Sequence, residues 1–145
     1  MDGLWVGAEQ GGERGLRRAE EALDIIKQHD RHRYNRIRGD IERVWVRVIP
    51  GALARFNEAL SACELDARFV LDEASPLEVI AAAIVHEATH ARIARCGIAY
   101  EEDKRHRIEA ICIRRELAFA ARLHDGEQVR VWAKPQIGYR AYRID

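Results

Sequence analysis

The chain has 145 residues, and its 24 Lys and Arg balance its 24 Asp and Glu. That length is one domain's worth, enough to bury a core, and the even charge argues against nucleic acid or an anionic membrane as a global partner. No stretch reaches the ~18 apolar residues of a membrane span, and residues 1–15 lack the basic start and apolar run of a signal peptide, so a soluble, cytoplasmic protein with one domain over 1–145 is expected.

Residues 1–12 are Gly-rich and predicted to be flexible, with Leu4, Trp5 and Val6 packing at most as an arm. From Glu13 the apolar residues Leu16, Ala19, Leu23 and Ile26 recur at helical spacing, and Tyr34 and Ile37 continue the stripe. This predicts one long N-terminal helix, or two broken near His29-Asp30. Arg31, His32, Arg33, Arg36 and Arg38 form a basic cluster around Tyr34, read as a solvated helix face with acidic partners upstream.

Gly39-Asp40 breaks the helix. Residues 41–49 then alternate, with Val44, Val46 and Val48 on one side and Arg43, Trp45 and Arg47 on the other, the pattern of a half-buried strand. After the turn at Pro50-Gly51, the spacing of Leu53, Phe56, Leu60 and Cys63 predicts a short amphipathic helix, and residues 67–71 (ARFVL) a second strand. Cys63, Cys96 and Cys112 stand at unrelated spacings with no C-x-x-C pair, and read as unbridged thiols of a reducing compartment.

Residues 75–95 carry the chemistry. Ser75 as N-cap, Pro76 at the first helical position and Glu78 three residues after the cap have the form of a capping box. Arg92, Arg95 and Gly97 mark the other end. Between them almost every residue is apolar, which predicts a central, buried helix. Within it stands His86-Glu87-Ala88-Thr89-His90. Two histidines four apart project from one helical face and can reach a single metal, with Glu87 beside them. Burying such groups without partners would cost several kcal/mol, a cost that a metal removes.

Nineteen residues after His90 comes Glu109, inside a second helical pattern over 104–123. His86, Glu87, His90 and Glu109 together resemble the gluzincin type of zinc metallopeptidase, over roughly a third of the chain, residues 75–123. The resemblance implies an α+β, zincin-like fold in which the HExxH helix and the Glu-bearing helix pack with a small sheet. Zn2+ would be held by His86, His90 and Glu109, and Glu87 would act as general base on water at the fourth coordination position in peptide-bond hydrolysis.

His106 lies on the same helical face and competes with Glu109 as third ligand, and Cys112, one turn on, could approach the metal or simply fill core. Many gluzincins carry an aspartate four residues after the glutamate ligand to orient a histidine. Here that position is Ile113, so a backbone carbonyl or Glu116 has to serve. Tyr100, His106, His124, Tyr139 and Tyr142 are available to stabilise an oxyanion, and no spacing selects among them.

By the same resemblance an edge strand, 67–71 or 41–49, lines the cleft, where a peptide or protein substrate adds as a further strand. The far wall that longer gluzincins build from a C-terminal subdomain would have to come from a partner or from a second copy in a homo-oligomer. A catalytically inactive, zincin-like module that binds metal and serves in regulation or interaction is the alternative. Residues 129–133 alternate and predict a short strand or extended tail before Pro135 and Gly138.

Overall fold

The computed structural model describes residues 1–133 as six helices and one mixed four-stranded sheet, an α+β arrangement. In chain order these are β1 (Trp5–Ala8), α1 (Gly12–His29), α2 (Arg31–Asp40), β2 (Arg43–Arg47), β3 (Ala54–Asn57), β4 (Ala62–Asp66), α3 (Ala67–Leu71), α4 (Leu77–Arg95), α5 (Glu102–Ala120) and α6 (Glu127–Ala133). The sheet runs β1-β2-β4-β3, parallel except for the antiparallel β3–β4 hairpin that forms one edge.

Register puts Val44, Val46, Cys63 and Leu65 on one face of the sheet, all fully buried. Helices α1 and α4 share the same core, with Leu23, Ile26, Ile80 and Ile84 each 0 % exposed, and burying one such side chain contributes about 1.5–3 kcal/mol. The opposite face is polar and aromatic: the Arg47 guanidinium lies 4.2 Å over the Trp45 ring, and Arg47 and Arg55 both pair with Glu64.

Several predicted elements take another form. The N-terminal stretch expected to be flexible contains β1, in parallel register with β2, and Leu4 is buried. Of the two forms expected for the N-terminal helical stretch the broken one is observed, parted at Asp30, whose carboxylate accepts from the Arg33 backbone N–H at 3.3 Å and so caps α2. The helix predicted through Leu53 and Cys63 is the β3–β4 hairpin, turned through Ser61 at φ 48°. Residues 67–71 form a helical turn in place of a strand, and 129–133 lie in α6. Pro135, Gly138, Tyr139 and Tyr142 lie outside the described residues. Among the described residues no helix is long and apolar enough to cross a membrane.

The start of α4 also departs from its prediction. The helix begins at Leu77, Pro76 is the capping residue in extended conformation, and no side-chain capping bond forms. Arg18 of α1 holds this junction instead, donating to the carbonyls of Val70 at 2.6 Å and Ser75 at 2.5 Å. At the far end Gly97 adopts φ 82°, a left-handed stop suited to glycine. Arg95 and Arg92 reach back to Asp40 at 2.7 and 3.3 Å, tying α2 to α4.

Candidate metal centre

The central helix α4 is buried from Val79 to Ala88, as a helix apolar on all sides should be. That places His86, 1 % exposed, and Glu87, 6 % exposed, deep in the molecule, with His90 one turn on and partly open. On α5, Glu109, Cys112 and Glu116 recur at intervals of three and four, so they share a face, and all three are buried.

Glu109 bridges the two imidazoles, with Oε1 2.9 Å from His86 Nε2 and Oε2 2.9 Å from His90 Nε2. Tyr100, in the loop between α4 and α5, donates its hydroxyl to Glu109 Oε2 at 2.8 Å, and its ring stands edge-on to His90 at 5.3 Å. Burial alone would raise the Glu109 carboxyl, but hydrogen bonds from His86 and His90 and the charge they carry outweigh it and hold it well below the usual carboxylate range. On the other side of the His86 ring, Nδ1 is hydrogen-bonded to Glu116 Oε1. This partnership fixes the ring's orientation and leaves Nε2 facing Glu109, the arrangement in which an imidazole serves a metal. Glu116 thus occupies the role for which Ile113 is unsuited.

The donor set fits a metal ion. The ligand atoms of His86, His90 and Cys112 lie within 4.8 Å of one another and could hold one. The 2.9 Å separations at Glu109 are a few tenths of an ångström short of the ~3.3 Å between neighbouring light-atom ligands around tetrahedral zinc. Glu109 and Glu116, both buried carboxyl groups, set their oxygens against the ring nitrogens of the two histidines, an oxygen-and-nitrogen donor chemistry suited to a divalent cation.

No protein-family model, curated protein or solved structure matches this chain.

His106 is exposed, whereas Glu109, three residues on, is buried and faces the histidines. His124 packs edge-on against His29 at 6.2 Å, at the end of α1. Of the groups named as oxyanion donors, Tyr100 contacts the cluster through Glu109 and His90. Neither strand expected to border the cleft does so. A cleft of about 640 Å³ opens beside His90 and Tyr100, walled by Phe56 and Asn57 of β3 and by Ile93 and Ile98. The sequence reading missed β3 as the wall because it placed a helix there. The signal available was the short alternation Ala54-Arg55-Phe56-Asn57 ahead of the turn.

On β4, burial pushes the Cys63 thiol well above its ordinary range, and the negative charge of Glu87 adds to this. Cys63 is therefore a packed neutral thiol close enough to Glu87 to feel its charge.

Proposed function

We propose that this protein is a zinc-dependent hydrolase acting on peptide bonds, with His86, His90 and Glu109 as metal ligands and Glu87 as general base. The observation that carries the reading is Glu109 set 2.9 Å from the Nε2 atoms of both histidines, with a second buried carboxylate, Glu87, next to His86 in sequence and left out of that bridge. A structural metal site has no need of Glu87.

A zinc ion there would supply Lewis-acid polarisation and a water acidified from pKa 15.7 toward ~7. Glu87 would take the proton of the attacking water and pass it to the leaving amine. Glu116 holds His86 in the productive ring orientation through Nδ1. Tyr100, already donating to Glu109 at the rim of the cleft, is placed to turn its hydroxyl to a developing oxyanion. An extended peptide would lie along β3, whose outer edge has no neighbouring strand among the described residues, and pair with it by strand addition.

The test is Glu87→Gln. The account expects undiminished zinc content and hydrolysis of a peptide library reduced by about 10²–10⁴-fold, read by mass spectrometry of the products. Equal cleavage by wild type and variant would refute it.

One observation favours a second reading. Cys112 brings its sulfur within 4.8 Å of both histidine ligand atoms. A thiolate added to His86, His90 and Glu109 would close the coordination sphere and make the protein a metal-binding interaction module. Cobalt substitution separates the two. A near-ultraviolet thiolate-to-cobalt absorption that Cys112→Ser removes supports the closed site, and its absence leaves the open, hydrolytic one.

A further inference from the structure

Helices α2, α4 and α5 meet on the flank of the metal helix in a cavity of about 100 Å³, lined by Arg33 and Arg36 of α2, Thr89 and Arg92 of α4, and Arg115 of α5. Asp30 and Asp40 also face it, but both are engaged: Asp30 with Arg33 at 2.8 Å, Asp40 with Arg92 and Arg95. Arg36 and Arg115 make no ion pair among the described residues. Four guanidinium groups against two carboxylates leave the cavity about two charges positive, with His32 also on its wall.

Like charges are not gathered at a concave site without cost. Partial burial, and after it the repulsion of Arg92 and Arg115, lowers the pKa of Arg36 below its ordinary value, so the fold holds this cation against an unfavourable field. An anion in the cavity would reverse that cost. Its volume is enough to admit a tetrahedral oxyanion. Guanidinium forks are suited to oxyanions by their fixed donor geometry. The basic run Arg31–Arg38 therefore has more to do than solvate a helix: its Arg33 and Arg36 point to the same cavity as Arg92 and Arg115, which are distant in sequence.

We propose that this cavity binds a phosphate-sized oxyanion, as free phosphate or as the head of a small phosphomonoester, with Arg36 and Arg115 as its principal donors. The bound anion would clamp α2 to the helices that carry the metal cluster. This site is independent of what the metal cluster does.

Equilibrium dialysis of the full chain against inorganic phosphate, at constant ionic strength set with chloride, tests it. The measurement is made on zinc-loaded and on chelator-treated protein, so that phosphate bound to the metal is told apart. The expected result is saturable binding of about one phosphate per chain in both states, weakened about tenfold or more by Arg36→Gln or Arg115→Gln, since each tenfold corresponds to about 1.4 kcal/mol, the scale of one charge-assisted bond. Arg17→Gln, at an exposed position of α1, should change nothing. Glycerol 2-phosphate is the second arm: saturable binding of both ligands supports the site in its monoester form, and of phosphate alone in its free-ion form. Circular dichroism confirms that each variant is folded. Binding that stays linear with phosphate, vanishes on chelation, or survives in the Arg36→Gln/Arg115→Gln double variant would overturn the proposal.

Discussion

Glu64 and Glu109 are both carboxylates withdrawn from solvent, 0 % and 1 % exposed, and the fold treats them in opposite ways. Glu64, on the central strand β4, lies under two permanent cations, Arg55 at 2.5 Å and Arg47 at 3.1 Å. Among the described residues Glu109 meets only imidazoles and a tyrosine hydroxyl. Arginine does not release its charge at any physiological pH, so the Glu64 cluster is a closed structural knot. Imidazole nitrogens can exchange a proton for a metal, and those of His86 and His90 lie, with the Cys112 sulfur, close enough together to hold one.

That contrast can be broken by experiment. Glu64→Gln should lower stability by about 1–3 kcal/mol, the cost of leaving guanidinium groups without their charged partner. The value lies below the ~3–5 kcal/mol of fully buried ion pairs because the Arg47 and Arg55 side chains are 31 % and 39 % exposed and partly solvated. The urea midpoint reports it, and zinc content should not change. A Glu64 variant that lost metal would erase the distinction drawn here.

Glu116→Gln sharpens the contrast from the other side. It keeps the shape beside His86 Nδ1 but removes the charge, and zinc affinity measured against a competing chelator should fall by about 10–100-fold. Unchanged affinity would mean that His86 takes its orientation from elsewhere.

The smallest effect concerns acid. A carboxylate whose pKa is lower in the fold contributes stability that is fully present above its unfolded value and is lost as pH falls through the folded one. Glu109 is held below the usual 4.5, so in metal-free protein the loss begins as pH drops below about 4.5. Glu109→Gln should flatten that acid limb. Parallel limbs for wild type and variant would place the acid sensitivity in other groups.

The two helices that carry the cluster were legible because their signals are local. His86 and His90 stand four apart and Glu109, Cys112 and Glu116 recur on one face, so helix geometry alone brings each set together. What periodicity does not carry is the meeting of α4 with α5, which depends on the loop through Tyr100 and on core packing. The hairpin was illegible for a physical reason. Leu53, Phe56, Leu60 and Cys63 are spaced as on a helix, while β4 is buried at every position from Ala62 to Asp66, because the arginines roof its polar face and remove the alternation that marks a strand. The 67–71 turn failed differently: aromatic and branched residues favour a strand, but Asp66 accepts from the Ile49 backbone N–H at 2.9 Å and pairs with Arg68 at 3.0 Å, bending the chain directly out of β4. In α4, the Ser75–Glu78 capping pattern was overridden by Arg18, which takes the Ser75 carbonyl from a distant part of the chain.

The account rests on Glu109 and the two histidines sharing one ion. Elemental analysis of protein dialysed against zinc and then freed of excess, for wild type beside Glu109→Ala and Glu64→Gln, tests this most directly. The prediction is about one zinc per chain in wild type and in Glu64→Gln, and a loss of most of it in Glu109→Ala. Wild-type protein that holds no stoichiometric metal, or a folded Glu109→Ala that keeps it, would contradict the account.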